Sequence, residues 1–235
     1  MTEPGQSWGR YPRARQSVRR LHDRAALLPA FDGTALPRGN GRSYGDSCMN
    51  PGGSLLDATG LDRFIAFDPA TGLLRCEAGV SLDAIIQLAL PQGWFLPVTP
   101  GTRYVTVGGA IANDVHGKNH HQAGSFGRHV RCFELLRSDS SRRVCRPGDE
   151  EGWFAATVGG LGLTGMITWA DIQLRRVPGS AMETENIRFG CLDEFFALSA
   201  DSAASHEYNV AWIDCLAEGK SRGRGHFTRA DHAPA

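Results

Sequence analysis

Glycine is what most limits the folds open to this chain. It supplies 29 of the 235 residues, about 12% against a usual value near 7%, gathered in clusters rather than in a repeat, which excludes a collagen-like chain. Three clusters stand out: Gly39 to Gly45, Gly108-Gly109, and Gly159 to Gly165. Without a Cβ the backbone can bend sharply and come close to a ligand, so the clusters point to binding loops built from main chain. In the first, Arg38 or Arg42 is at hand to neutralise an anion on converging N–H groups. The second lies in the first turn of an expected helix, where unpaired N–H groups and the positive dipole end favour a phosphate.

The third cluster contains a literal G-x-G-x-x-G, from Gly160 to Gly165, with Glu183 or Glu185 near the place of a ribose-binding acid. A dinucleotide fold of the Rossmann kind needs strand, glycines, then helix. Here a helix precedes and the β-prone Met166-Ile167-Thr168-Trp169 follows, so that reading is rejected. Three such loops between regular elements point to a pyrophosphate-bearing cofactor. Nanomolar binding needs about 12 kcal/mol. Several hydrogen bonds to charged phosphate, at about 1.5–3 kcal/mol each, supply much of it.

Patterning gives a mixture of hairpins and short helices, an α+β chain rather than a regular βαβ series. Phe64 to Phe67 and Leu73 to Ala78 flank Asp68-Pro69-Ala70-Thr71-Gly72 as strand, turn and strand. Ser81 caps an expected helix with Leu82, Ile85, Ile86 and Ala89 on one face, ended by Pro91. Val130 to Arg137 and Arg142 to Cys145 read as a second hairpin. Asp149-Glu150-Glu151 opens a helix at whose positive end the acids belong, with Trp153, Phe154 and Trp169 assigned to the core. Ile167 to Val177 and Asn186 to Phe189 read as strands and Leu192 to Leu198 as a helix. The Gly/Arg-rich segment from Glu218 onward has no apolar period and is expected not to pack.

Lys plus Arg and Asp plus Glu are 25 each, a net charge of zero, which lacks the basic excess of a nucleic-acid binder. No apolar run approaches a membrane span. Five arginines between Arg10 and Arg20 read as a solvated face, and without an apolar h-region the sequence predicts no secretory signal. The six cysteines are scattered, with no C-x-x-C pair, and read as reduced thiols in the cytoplasm. His116, His120 and His121 do not make a metal site: Gly117 interrupts the helix an i, i+4 pair needs, and no carboxylate or cysteine joins them.

Arg38-Gly39-Asn40-Gly41-Arg42-Ser43-Tyr44-Gly45-Asp46 resembles the first phosphate loop of FAD-linked oxidases of the vanillyl-alcohol oxidase type. The resemblance continues through Pro100-Gly101-Thr102-Arg103, Thr106 to Ala112, His116-Gly117-Lys118-Asn119-His120-His121, Ala123 to Gly127 and Ala156 to Gly165. It runs from about Trp8 to Ile172 and weakens toward Trp212. The resemblance implies a PCMH-type FAD-binding domain of two α+β subdomains over residues 1–178. The beginning of an incomplete substrate (cap) domain with a polar tail would then cover 179–235.

By that resemblance the cofactor-binding residues are Pro37, Arg38, Gly39, Asn40, Gly41, Arg42, Ser43, Tyr44, Gly45, Asp46 and Ser47, then Gly101, Thr106, Val107, Gly108, Gly109, Asn113, Asp114, Val115 and His116, with Ile167 meeting the adenine through its backbone. Where some relatives link flavin to a histidine, this chain has Arg42, and no cysteine lies between Cys76 and Cys132. FAD is therefore expected without a covalent bond. His116 would position or deprotonate a substrate hydroxyl, and Lys118 would stabilise negative charge. The implied activity is oxidation of a sugar, sugar-lipid or polyol hydroxyl to a ketone by hydride transfer to flavin. Relatives are longer, and their later lysines and aromatic residues have no counterpart here. The alternative is thus an inert flavin-binding fragment or half of a split enzyme, with a reductase or second-half chain as partner.

Overall fold

The computed structural model describes residues 5–234. Three short strands open it: β1 (Ser17–Arg20), β2 (Ala35–Arg38) and β3 (Ser54–Asp57). They form a parallel sheet in the order β1-β3-β2, in register so that Val18 and Leu36 both sit beside Leu55. Leu55 and Leu56 of the central strand are buried. The polar opening segment thus contributes a strand that its sequence did not announce, because Ser17-Val18-Arg19-Arg20 is an edge strand with one apolar residue.

β4 (Phe64–Asp68) and β5 (Leu73–Glu77) form the expected hairpin. α1 (Leu82–Ala89) follows, its Ser81 hydroxyl accepting from the Ala84 N–H at 3.1 Å. Leu82, Ile85 and Ala89 are fully buried, as their spacing requires. β6 (Trp94–Phe95) leads by a long loop to α2 (Val107–Ala112) and α3 (His120–Ala123). The second hairpin is β7 (Val130–Leu136) and β8 (Arg142–Cys145). α4 (Trp153–Thr157) precedes the third glycine cluster, and β9 (Met166–Gln173) follows it. That is helix, glycines, strand, the reverse of a dinucleotide fingerprint.

Five strands pair antiparallel in the order β4-β5-β9-β7-β8, with β9 in the middle. α1, α2 and this sheet share the main core, which includes Leu74, Leu82, Ile85, Val107, Ile111, Phe126, Phe133 and Ile172. Across β5 and β9, Arg75 donates two hydrogen bonds to Asp171, at 2.6 and 2.7 Å, and the Cys132 thiol donates a third at 3.2 Å. Burial alone would raise the Asp171 carboxyl, but these donors outweigh it and hold it below the usual carboxylate range.

β10 (Arg175–Arg176) pairs with β6. Last come β11 (Met182–Phe189), α5 (Leu192–Ser205), β12 (Tyr208–Ile213) and β13 (Gly225–His232). Their sheet has the order β11-β13-β12, so the segment expected to stay unpacked is the central strand of a sheet. The correction has a physical cause. Phe227 and Ala230, three apart and therefore on opposite faces of the strand, are its buried apolar side chains, and the Phe227 ring meets that of Phe195 from α5. Arg229 is neutralised by Glu185 and Asp201. A second correction concerns Trp169, which is half-buried and outside the core, whereas Trp153, also half-buried, packs against the core. Arg137 lies 4.3 Å from the Trp153 ring and Arg75 lies 4.4 Å from that of Trp169.

Candidate functional site

A cavity of about 530 Å³ opens between the parallel sheet and the five-stranded sheet. It is lined by the end of β2 and the first glycine loop, by residues 100–106, by α2, by the third glycine cluster and by the start of β9. The size is within the usual range for a cofactor pocket, about 300–1,000 Å³.

Of the cofactor residues named from sequence, Pro37 to Tyr44, Ser47, Gly101, Thr106, Gly108, Gly109, Asn113, Val115 and Ile167 all line this one cavity. Gly45, Asp46, Asp114 and His116 lie outside its lining, and Val107 is turned into the core. The Asp114 carboxylate accepts from the Gly127 N–H at 2.8 Å and braces the loop instead. Sequence reasoning missed Trp8, Cys48, Ala58, Ala78, Thr157 and Met166. Ala58, Ala78, Thr157 and Met166 are walls with no chemistry to advertise them, and Trp8 reaches the rim from a distant segment.

The two first clusters use glycine differently. In the loop, no N–H from Gly39 to Ser47 donates to a protein oxygen among the described residues. Gly41 adopts φ +61°, which a side chain would strain. In α2 the amides are already taken. The Val107 and Gly108 N–H groups donate to Val80 and Ala78 at 2.8 Å each, and that of Gly109 donates to the Thr106 hydroxyl at 3.2 Å. The expectation of free phosphate-binding amides at this helix start is therefore wrong. Gly108 serves packing instead, since a Cβ there would come within 3.0 Å of the Ala78 methyl.

Charge on the site comes from Arg38 and Arg42. Arg38 donates to the Gln6 and Gly39 carbonyls at 2.8 and 3.2 Å. Both guanidinium Nε atoms are buried without a partner. Cys48 is the one cysteine on the lining. Burial pushes its thiol up, against the opposing pull of Arg38. Ala78, Ala112, Val115, Met166 and Ile167 make much of the remaining lining apolar, with Thr106, Asn113 and Thr157 as polar members.

His116 and Lys118 follow Val115 on the turn into α3, both exposed. Among the described residues the His116 ring accepts and donates no hydrogen bond, and its nearest aromatic neighbour is His120 at 5.6 Å. The Lys118 carbonyl accepts from the Asn209 N–H at 2.9 Å, tying this turn to β12. The backbone thus brings both residues together just beyond the cavity lining.

A glycine loop whose amides donate to no protein oxygen among the described residues, two guanidiniums and a largely apolar lining share one cavity of cofactor size. The chain belongs to the FAD binding domain family, whose model matches residues 16–146. It is 42% identical to the decaprenylphosphoryl-beta-D-ribose oxidase of Mycolicibacterium smegmatis, over 96% of this chain and 51% of that protein. It is 46% identical to an uncharacterized protein in the mprA 5'region of Streptomyces coelicolor, over 66% of this chain and 42% of the other. A Delta(24)-sterol reductase of Rattus norvegicus is 30% identical over 46% of this chain and 21% of its own length. The chain spans about half the length of the first relative and less of the others. No helix among the described residues is long and apolar enough to cross a membrane.

Proposed function

We propose that the cavity holds FAD without a covalent bond, in a protein that oxidises a hydroxyl of a sugar, sugar-lipid or polyol to a ketone. The observation that carries this reading is the loop from Gly39 to Ser47, whose N–H groups donate to no protein oxygen among the described residues and of which Gly39 to Tyr44 and Ser47 line the cavity. The donor set suits a diphosphate beside two ring systems. Amides and guanidiniums gather at one stretch, and small or apolar side chains line the rest. Gly101, Thr106, Gly108, Gly109 and Asn113 continue the lining, with Thr106 beside Gly39, and Ile167 offers backbone at the start of β9.

Two features support non-covalent attachment. Arg42 stands before Ser43 and offers no nucleophile. Cys48 is held as the neutral thiol by burial, and the thiolate is the reactive form. Bound FAD supplies the acceptor for the hydride of the substrate carbinol. The chain's own residues orient and move the proton. His116, exposed and without a hydrogen bond, takes the hydroxyl proton at its ring nitrogen. The Lys118 ammonium steadies negative charge that develops nearby. The relative's name specifies ribose on decaprenyl phosphate, which favours a sugar-lipid among the three substrate classes.

Up to residue 178 the chain forms the cofactor domain in two α+β subdomains, one around each of the first two sheets. Residues 179–235 begin a substrate-covering domain, a division supported by the sheet β11-β13-β12 pairing only with itself. The unpaired state of all six cysteines suits a cytoplasmic setting. A visible spectrum of the purified chain after FAD saturation tests the reading. A retained yellow band, released to the supernatant by acid, is expected. A colourless protein that leaves flavin fluorescence unquenched overturns it.

A further inference from the structure

Residues Gly5 to Trp8 lie ahead of the span matched by the family model, which begins at residue 16. Yet Trp8 is on the cavity lining, and the segment is bonded to the loop that forms it. The Trp8 N–H donates to the Ser43 carbonyl at 3.1 Å, and Arg38 donates to the Gln6 carbonyl at 2.8 Å. Trp8 lines the cavity, and its ring lies 4.7 Å from the Arg42 guanidinium, which is also 5.9 Å from the Tyr104 ring. Tyr104 is itself tied to the loop, its carbonyl accepting from Asn40 at 2.9 Å. Three separate segments therefore meet on one cation at the rim.

The same cluster holds polar atoms with no protein partner. Gln6 Nε2 and Oε1, Ser7 Oγ, Arg38 Nε and Arg42 Nε are buried and unbonded among the described residues, and Ser7 is only 4% exposed. Buried polar groups are nearly always satisfied, so this concentration beside an anion-binding loop marks a place completed by a ligand. We infer that residues Gly5 to Trp8 are a strap over the FAD site, and that Trp8 retains the cofactor by stacking on Arg42 and holding its guanidinium across the cavity. The inference rests on the FAD reading. Trp8 and Arg42 act as positioning residues: the ring fixes the cation, and the cation meets the diphosphate.

The test uses the full chain and FAD, with two readouts independent of turnover. Stopped-flow displacement gives the FAD release rate from flavin fluorescence. Tryptic cleavage after Arg10, Arg13 and Arg15 reports whether the strap is closed. Trp8→Ala should speed release about 3- to 30-fold, the range expected for one cation–π contact, whereas Trp8→Phe, which keeps an aromatic face, should stay near the wild-type rate. FAD should slow cleavage of the wild type, and should do so far less in Trp8→Ala. Wild-type protein that fails to quench flavin fluorescence defeats the FAD reading itself. Wild-type protein that binds FAD without gaining protection from trypsin overturns the strap. So does release from Trp8→Ala at the wild-type rate, or release from Trp8→Phe as fast as from Trp8→Ala. If Trp8→Ala does not fold, the wild-type cleavage and the Phe variant still decide the matter.

Discussion

The loop from Gly39 to Ser47 and the turn from Thr106 to Gly109 meet on the lining of one cavity, with Gly39 packed against the Thr106 side chain, and glycine serves their amides differently. In the loop it leaves amides free and lets Gly41 take a left-handed conformation. In α2 it removes bulk so that the helix start can sit on Ala78, and the amides are spent on Val80, Ala78 and Thr106. On the proposed reading the loop meets the ligand and the helix start is scaffold. A glycine-rich turn therefore shows close approach, but only the hydrogen-bond ledger shows what is approached.

Substitutions in the two segments should separate along that line. The largest effect belongs to the loop: replacing Arg38 and Arg42 together by Ala should weaken FAD binding by about 100-fold or more, from two charged hydrogen bonds at about 1.5–3 kcal/mol each. Equilibrium titration of flavin fluorescence checks this, with a smaller loss of folding stability through the Gln6 contact. Next comes Gly108→Val on the scaffold side, which should cost about 1–3 kcal/mol by overpacking against Ala78, read from urea unfolding. Thr106→Ala removes the cap on Gly109 and should cost about 1 kcal/mol, with FAD affinity falling no further than the stability loss explains. Should Thr106→Ala weaken binding as strongly as the arginine pair, the division between loop and helix start fails.

The scaffold also carries a pH handle. Asp171 has a depressed carboxyl in the folded state, so its pairing with Arg75 contributes fully above the unfolded value near 4. That contribution is lost as pH falls through the lower folded value. Acid unfolding of Asp171→Asn should lack that part of the pH dependence, and its stability at neutral pH should drop by about 1–3 kcal/mol. The smallest effect is expected of Tyr44→Phe, because Tyr44 is 79% exposed at the rim.

Elements whose signal is local were legible in the sequence. Ser81 and the spacing of Leu82, Ile85 and Ala89 specify α1, and Asp68 to Gly72 specify the turn between β4 and β5. Most of the cavity was legible too, because its lining gathers in short motifs. What escaped depends on partners distant in sequence. β1 is recognisable only beside Leu55 of β3, and β13 only between β11 and β12. Val80 and Ala78 take the α2 amides from about thirty positions upstream. Nothing within Thr106 to Asn113 could have announced that.

Amide hydrogen exchange with and without FAD tests the central claim most directly. The account predicts that FAD slows exchange across Gly39 to Ser47 while leaving Val107 to Gly109, already bonded within the protein, unchanged. Protection confined to α2, or no protection in the loop at saturating FAD, would contradict it.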